Sequence, residues 1–351
     1  MQDTDDAELR LGRRALEHRL SKYLEGLEPS LLGETTTLDV GRVELLGAGT
    51  RHFNYLAVVN GRKYVARFSL TNHPESHTEY EYMGLRAVGG VGIAPVAYYH
   101  ESSKSHLGLP FIIMEYVDGS HPESFTQGLS REIARVVALM HSIDTGAPAL
   151  LPIRRKVGKG EILKVVEEKV DYISRKLAGG TRGADLALHI AEGYEMVAGL
   201  DTGNCGNGVL AHGDISLHNI VLGNGGLRLI DWETVSITDP AYDIATFFDR
   251  AGLPQQCRNA FMEEYVSASG RYGIPGRLES FEKIRVFDRM CWCIWEAIDL
   301  LNGRRHEFEP SWRSPDLYIR HAQSRMEWCQ THGLMPKGIS VSASIIREAL
   351  T

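Results

Sequence analysis

Between residues 38 and 70 apolar and polar positions alternate with a period of two, the spacing of half-buried β-strands. Val59-Asn60-Gly61-Arg62 interrupts the alternation, and Asn-Gly between two apolar runs predicts a two-residue type I′ hairpin. From Glu75 the pattern turns helical through EYEYMGLRAV, and Gly89, Gly90 and Gly92 close it. Two short strand patterns follow at 95–100 and 110–115, and Asp118-Gly119 breaks the chain. Upstream, Leu9, Leu11, Leu16, Leu20 and Leu24 lie among charges and predict an amphipathic helix over about 5–27.

Beyond about residue 121 the character changes. Helical periodicity covers 130–143, 160–177 and 184–198. Strand-like pieces at 219–222 and 227–230 interrupt it, separated by Gly223-Asn224-Gly225-Gly226, and helix resumes from Ala241 to near the C-terminus. No internal repeat or low-complexity segment is visible. The expectation is an α+β chain: an N-terminal lobe over 1–117 with a small antiparallel sheet and a helix, then a larger, mainly helical lobe over 118–351.

Composition narrows the partners. The 351 residues suit two lobes, and the net charge of −7 comes with no basic stripe, so nucleic acid is not expected. No run of eighteen apolar residues exists, and the charged start MQDTDDAELRLGRR does not read as a signal peptide, so no membrane span is expected. Five scattered cysteines, at 205, 257, 291, 293 and 329, point to a reduced, cytoplasmic chain. Cys291 and Cys293 stand two apart on a helical pattern and read as small buried hydrophobes rather than as a metal pair.

Four stretches carry candidate chemistry. Gly47-Ala48-Gly49-Thr50-Arg51-His52-Phe53-Asn54 lies between two strands, where glycines let backbone amides approach phosphate oxygens; an ordinary hairpin turn would read the same way. In Lys63-Tyr64-Val65-Ala66-Arg67-Phe68 the two-residue period puts Val65 and Arg67 on one face, an apolar contact for a flat ring beside a cation for phosphates. Glu79 and Glu81 on the following helix could pair with Arg67, which could equally be a solvated edge residue. In AHGDISLHNI, Asp214 could take a proton from, or orient, an attacking hydroxyl, and Asn219 could bind a divalent cation through its carbonyl oxygen. LIDWE then delivers Asp231 at a strand end, completing the parts for in-line phosphoryl transfer with Mg²⁺. A Ser-His-Asp hydrolase built on Ser216, His212 and His218 lacks the G-x-S-x-G elbow.

HGDISLHN followed by LIDWE resembles the paired motifs of the aminoglycoside phosphotransferase and choline kinase superfamily, whose fold is protein-kinase-like and bilobal. The likeness extends over most of the chain, through the glycine loop with Asn54, YVARF, Glu81, IIMEYVDG, ALMH and DPAYDIATFF. It implies ATP and Mg²⁺ as cofactors, Asp214 as the catalytic Asp, and Asn219 and Asp231 as metal ligands. It further implies that Gly47, Gly49, Asn54 and Val65 cradle the nucleotide and that Arg67, paired with Glu81, replaces the usual phosphate-binding Lys. Backbone groups near Glu115 and Val117 would hold adenine, while His212 and Asp243 would brace the catalytic loop. Asp239-Pro240 follows Asp231 by only eight positions, with Asp-Trp-Glu in place of D-F-G, so a protein-kinase activation loop does not fit and a small acceptor is favoured.

Trp292, Trp295, Glu296 and Asp299 share one helical face at i, i+3, i+4 and i+7, and the segment resembles the W-x-x-W helix of choline and ethanolamine kinases. Two indoles beside two carboxylates suit a cationic amine; packing of the helical lobe is the other reading. The 150–200 segment, with Glu161, Glu167 and Glu168 among Arg154, Arg155, Lys156 and Lys159, is expected to form part of the acceptor wall. The expected activity is phosphorylation of a small, amine-bearing alcohol such as choline or ethanolamine. The alternatives are an aminoglycoside or macrolide antibiotic as acceptor, or a nucleotide-binding regulatory pseudokinase.

Overall fold

The Asn60-Gly61 turn forms with both residues at positive φ, 51° and 77°, as a type I′ hairpin requires. It joins two strands of a computed structural model that describes residues 15–48, 52–69, 78–103, 105–203, 206–303 and 313–350. In chain order the elements are helix α1 (residues 15–25), strands β1 (Val40–Ala48), β2 (His52–Val59) and β3 (Arg62–Ser69), helix α2 (Thr78–Val88), strands β4 (Ala97–Glu101) and β5 (Phe111–Glu115), and helix α3 (Gln127–Met140). There follow β6 (Arg155–Lys156), α4 (Lys159–Leu177), α5 (Thr181–Ala198), β7 (Val209–Ala211), β8 (Ile220–Gly223), β9 (Gly226–Leu229) and β10 (Ser236–Thr238). Helices α6 (Pro240–Ala251), α7 (Gln255–Ser269), α8 (Pro275–Leu301), α9 (Pro315–Thr331) and α10 (Ala343–Leu350) complete the order.

The chain divides into two compact units. The first takes in Met1–Ser124, Ile143–Arg154 and Leu217–Val235. Its antiparallel sheet runs β1-β2-β3-β5-β4. Tyr64, Ala66 and Phe68 of β3 fall on the face that packs with Leu20 and Leu24 of α1, Tyr55 and Ala57 of β2 and Phe111 of β5. The two-residue period therefore sends Val65 and Arg67 to the opposite face. The β8–β9 hairpin is fastened to the chain after β5: Ser120 and Leu222 exchange backbone hydrogen bonds at 3.1 and 2.9 Å. A Cβ on Gly119 would sit 2.5 Å from the Leu222 carbonyl oxygen, and one on Gly223 would sit 2.4 Å from that of Asp118. Only glycine allows that approach.

The second unit comprises Phe125–Ser142, Arg155–Ser216 and Ser236–Thr351. Its long α8 packs on α9, α6 and α4, and a short sheet runs β6-β10-β7. Helix α3 starts at Gln127, ahead of the predicted 130, because the Thr126 hydroxyl caps it by accepting the Leu129 amide at 3.1 Å. The helical run expected from Ala241 is cut where Gly252 and Gly270 end α6 and α7 in the left-handed conformation, at φ 58° and 69°. Cys257, Cys291, Cys293 and Cys329 are buried and unbridged, while Cys205 lies outside the described residues. Among the described residues no helix is long and apolar enough to cross a membrane.

Asp288 ties α8 to α4. It is 3% exposed and accepts from Arg285 at 2.8 Å and from Lys169. Burial opposes its charge, but Lys169 and Arg285 outweigh that and draw the carboxyl down to about 2. A depressed acid stabilises the fold above its unfolded value, and the benefit vanishes as pH falls through the folded one. The expected contribution is roughly 2 kcal/mol. Urea unfolding of wild type and Asp288→Asn is expected to show a gap at pH 5 that narrows by about that amount at pH 2. A gap independent of pH would contradict it.

Candidate active site

The first unit gathers its charges around Arg67. Its guanidinium, 6% exposed, donates Nε to Glu81 Oε2 at 3.0 Å and Nη2 to Asp231 Oδ1 at 2.5 Å, with Glu233 Oε2 3.8 Å away. The solvated-edge alternative is thereby excluded. Burial opposes the Arg67 charge, yet Asp231, Glu81 and Glu233 overcome it and hold the guanidinium protonated. Glu81, on the inner face of α2, also accepts the Trp232 amide at 3.2 Å through Oε1, whereas Glu79 is exposed. His52 Nδ1 meets Glu233 at 2.7 Å.

Local strand pairing places the two expected metal ligands. In the β8–β9 hairpin Ile220 faces Leu229, and at its open end the Ile230 amide donates to the Asn219 carbonyl at 2.9 Å. Asn219 and Asp231 therefore leave neighbouring strand ends. Asp231 has φ 64°, a left-handed conformation uncommon for a residue with a Cβ and frequent at functional sites. Burial pushes its carboxyl above the usual range against the pull of Arg67, and Glu233 and Glu81 add to the rise. Three carboxylates thus face one guanidinium and one imidazole, a surplus that favours a cation.

Mg²⁺ takes oxygen ligands, keeps several waters and usually needs only one or two protein carboxylates. The Asn219 and Asp231 oxygens fit that demand. Among the described residues no three His, Cys, Asp or Glu side chains form a closed metal cage. Asn54 of β2, opposite Arg67 and beside Gly47, leaves its Oδ1 buried without a partner among the described residues. Gly49 lies outside the described residues. Glu115 is held by Arg228 at 2.7 Å, and its Oε2 accepts the Val96 amide at 3.1 Å. The Val117 amide donates to no backbone carbonyl among the described residues.

The second unit holds Asp214, 8% exposed, on the loop after β7. Its amide donates to His212 Nδ1 at 3.2 Å, and the Gly213 amide, at φ 76°, donates to Asp243 Oδ1 at 3.2 Å. Asp243 Oδ2 meets His141 Nε2 at 3.0 Å, and His141 Nδ1 meets the Tyr265 hydroxyl at 2.8 Å. Asp239 caps α6 by accepting the Ala241 amide at 2.8 Å, just ahead of Pro240, which fixes where Asp243 emerges. Arg250, at the other end of α6, ion-pairs with the Asp214 carboxylate.

The α8 face does gather its four residues, each half-buried, but their polar groups are engaged. Glu296 pairs with Arg313, and Asp299 accepts from the Tyr172 hydroxyl and, at 3.1 Å, from Trp295 Nε1. Trp295 stacks on Tyr172 at 4.2 Å. Trp292 meets the edge of Tyr318 at 5.3 Å and lies 3.7 Å under the Arg289 guanidinium. Glu161, expected in the acceptor wall, instead caps α4, accepting the Val157 amide at 2.6 Å. Glu167 and Glu168 are exposed.

Sequence reasoning overlooked four polar residues. Glu233 was visible as a second carboxylate two positions after Asp231, flanking the buried Trp232. His52 lay inside the glycine-loop segment, marked by nothing but its place. Arg250 gave no local signal, because its partner Asp214 comes from another element, whereas Arg289 stood three positions before Trp292 on one helix and was passed over.

Fold and site together define a kinase-like phosphotransferase of the small-molecule kind. The sequence model of the phosphotransferase enzyme family matches residues 42–280, and the chain belongs to that family. Among curated relatives, Protein LicA of Haemophilus influenzae is 26% identical over 96 residues, 26% of this chain and 36% of LicA. The chain thus matches about a third of that relative's length. A candidate aminoglycoside phosphotransferase from Ralstonia eutropha aligns at TM-score 0.64 and 17% identity, over 90% of this chain and 95% of that one. LicA in complex with AMP aligns at TM-score 0.61 and 17% identity, over 90% and 99%. At those identities the likeness is one of fold.

Proposed function

We propose that this protein transfers the γ-phosphoryl group of ATP to the hydroxyl of a small molecule, with Mg²⁺. The observation that carries the reading is the open end of β8–β9, where Asn219 and Asp231 leave adjacent strand ends beside the Arg67–Glu81 pair. Bound there, Mg²⁺ would neutralise the charge of the transferring phosphoryl group. Arg67 keeps Nε on Glu81 and Nη2 on Asp231, and its charge beside them would attract phosphate oxygens. Gly47, Asn54 and Val65 would line the nucleotide, and the Val117 amide, which donates to no backbone carbonyl among the described residues, would take adenine with the backbone at Glu115, in keeping with the AMP held by LicA. Residues 1–117 carry most of these groups.

Asp214 receives or orients the acceptor hydroxyl proton. His212 and Asp243 brace its loop through the Asp214 and Gly213 amides. For a small amine-bearing alcohol such as choline or ethanolamine the support is the pair of indoles on α8, since Glu296 and Asp299 are engaged; aminoglycosides and macrolides form the second acceptor class. ADP release is to be measured with Mg·ATP over a panel of these compounds. Acceptor-stimulated release that disappears in Asp214→Ala is the expected result. A pseudokinase would bind Mg·ATP yet show no release with any acceptor.

A further inference from the structure

In the second unit four guanidinium groups come from α6, α8 and α9, those of Arg250, Arg285, Arg289 and Arg325, and three of them have a carboxylate. Arg250 pairs with Asp214, Arg285 with Asp288 at 2.8 Å, and Arg325 with Asp249 at 3.2 Å. Arg289 is the exception of these four. Its guanidinium lies flat over Trp292 with Cζ 3.7 Å from the ring centroid, and among the described residues no carboxylate meets it. Burial, and next to it the neighbouring Arg250 charge, push this guanidinium down to about 9. The same cations act on His321, whose imidazole burial, Arg325 and Arg289 hold below its usual value. With Arg250, Arg285 and Arg325 each neutralised by a carboxylate, the Arg289 charge is the one of the four left uncompensated.

A quaternary ammonium would have to approach that uncompensated charge. The Trp292 face it would use already holds a cation, and the α8 carboxylates it would need are taken by Arg313, Tyr172 and Trp295. An oxyanion meets the opposite situation. Arg289 presents donors with no partner on them, and a guanidinium fork matches carboxylate and phosphate geometry. Arg250, whose charge acts on Arg289, is itself bound to Asp214.

We infer that the acceptor carries an oxyanion, a carboxylate or a phosphate ester, beside the hydroxyl that is phosphorylated, and that Arg289 on its Trp292 platform is the residue that selects for it. The inference rests on the phosphotransferase reading and departs from the amine acceptor.

The test compares choline, ethanolamine, glycerol, glycerate and glycerol 3-phosphate as acceptors, in wild type, Arg289→Met and Arg289→Lys. Glycerate and glycerol 3-phosphate separate a carboxylate from a phosphate ester. At least one of the two is expected to give Asp214-dependent ADP release above that of choline and ethanolamine. Losing a charge-assisted bond should raise its KM about 10- to 100-fold in Arg289→Met, with the KM for ATP little changed and a partial return in Arg289→Lys. Better turnover of choline or ethanolamine, or a KM for the oxyanion indifferent to Arg289, overturns the inference.

If no compound releases ADP in an Asp214-dependent way, the phosphotransferase reading fails for this panel, and affinity decides the inference separately. Calorimetric titration of wild type and of Arg289→Met, the variant first shown to keep its melting temperature, should then find the oxyanions bound more tightly than choline only where Arg289 is present. Any other ranking overturns it.

Discussion

Asp231→Asn is expected to remain folded and to lose about a thousandfold or more of Mg·ATP-dependent turnover. The magnitude follows from the several kcal/mol that a bound metal contributes to charge stabilisation in the transition state, at roughly 1.4 kcal/mol per tenfold in rate. Asn keeps the shape and tolerates the left-handed φ of 64° that this position adopts. The variant removes only charge. In the folded chain that charge is unfavourable, since burial and the nearby Glu233 and Glu81 raise the Asp231 carboxyl above its usual range. An acid whose folded value is raised destabilises the fold once pH exceeds that value, so at neutral pH the Asn variant should melt at the same temperature or higher. Mg·ATP should raise the melting temperature of wild type and leave that of the variant nearly unmoved. Turnover within tenfold of wild type, or an undiminished shift with Mg·ATP, would remove Asp231 from the ligand set.

Much of this site could be read along the chain because its parts are local. Asn-Gly at 60–61 dictates the hairpin that pairs β2 with β3, and the two-residue period of β3 then decides that Arg67 leaves the core face. Asn219 and Asp231 flank a hairpin, so their nearness follows from pairing Ile220 with Leu229. Choosing Glu81 over Glu79 needed the helix phase, which buries one and exposes the other.

What escaped the sequence depends on packing between distant segments. Arg250 reaches Asp214 only because α6 returns past the loop after β7. Trp292, Trp295, Glu296 and Asp299 share a face, as helical spacing requires, but which groups fill that face is decided elsewhere: Tyr172 comes from α4 and Arg313 precedes α9. Glu161 looked like a wall residue because composition does not distinguish a ligand carboxylate from one satisfying helix-end amides. Spacing reports which residues are neighbours on one element. It carries no record of what faces them.

Asp214→Asn should lower kcat about 10²- to 10⁴-fold, the range for removing a positioned proton acceptor, while the KM for ATP changes little. The loop should hold its shape, because its anchors are the Gly213 and Asp214 amides on Asp243 and His212, and neither bond involves the Asp214 carboxylate. Arg250 makes the assignment sharper. It binds the carboxylate from one side, so Arg250→Met should also slow turnover if it acts by aiming Asp214. A residue acting only through another has nothing left to aim once its partner is neutral. The double variant Asp214→Asn/Arg250→Met is therefore expected to be no slower than Asp214→Asn alone, and the two losses should not add. Full additivity would mean that Arg250 touches nucleotide or acceptor independently. A single Asp214→Asn variant with kcat within tenfold of wild type would contradict the role of Asp214 itself.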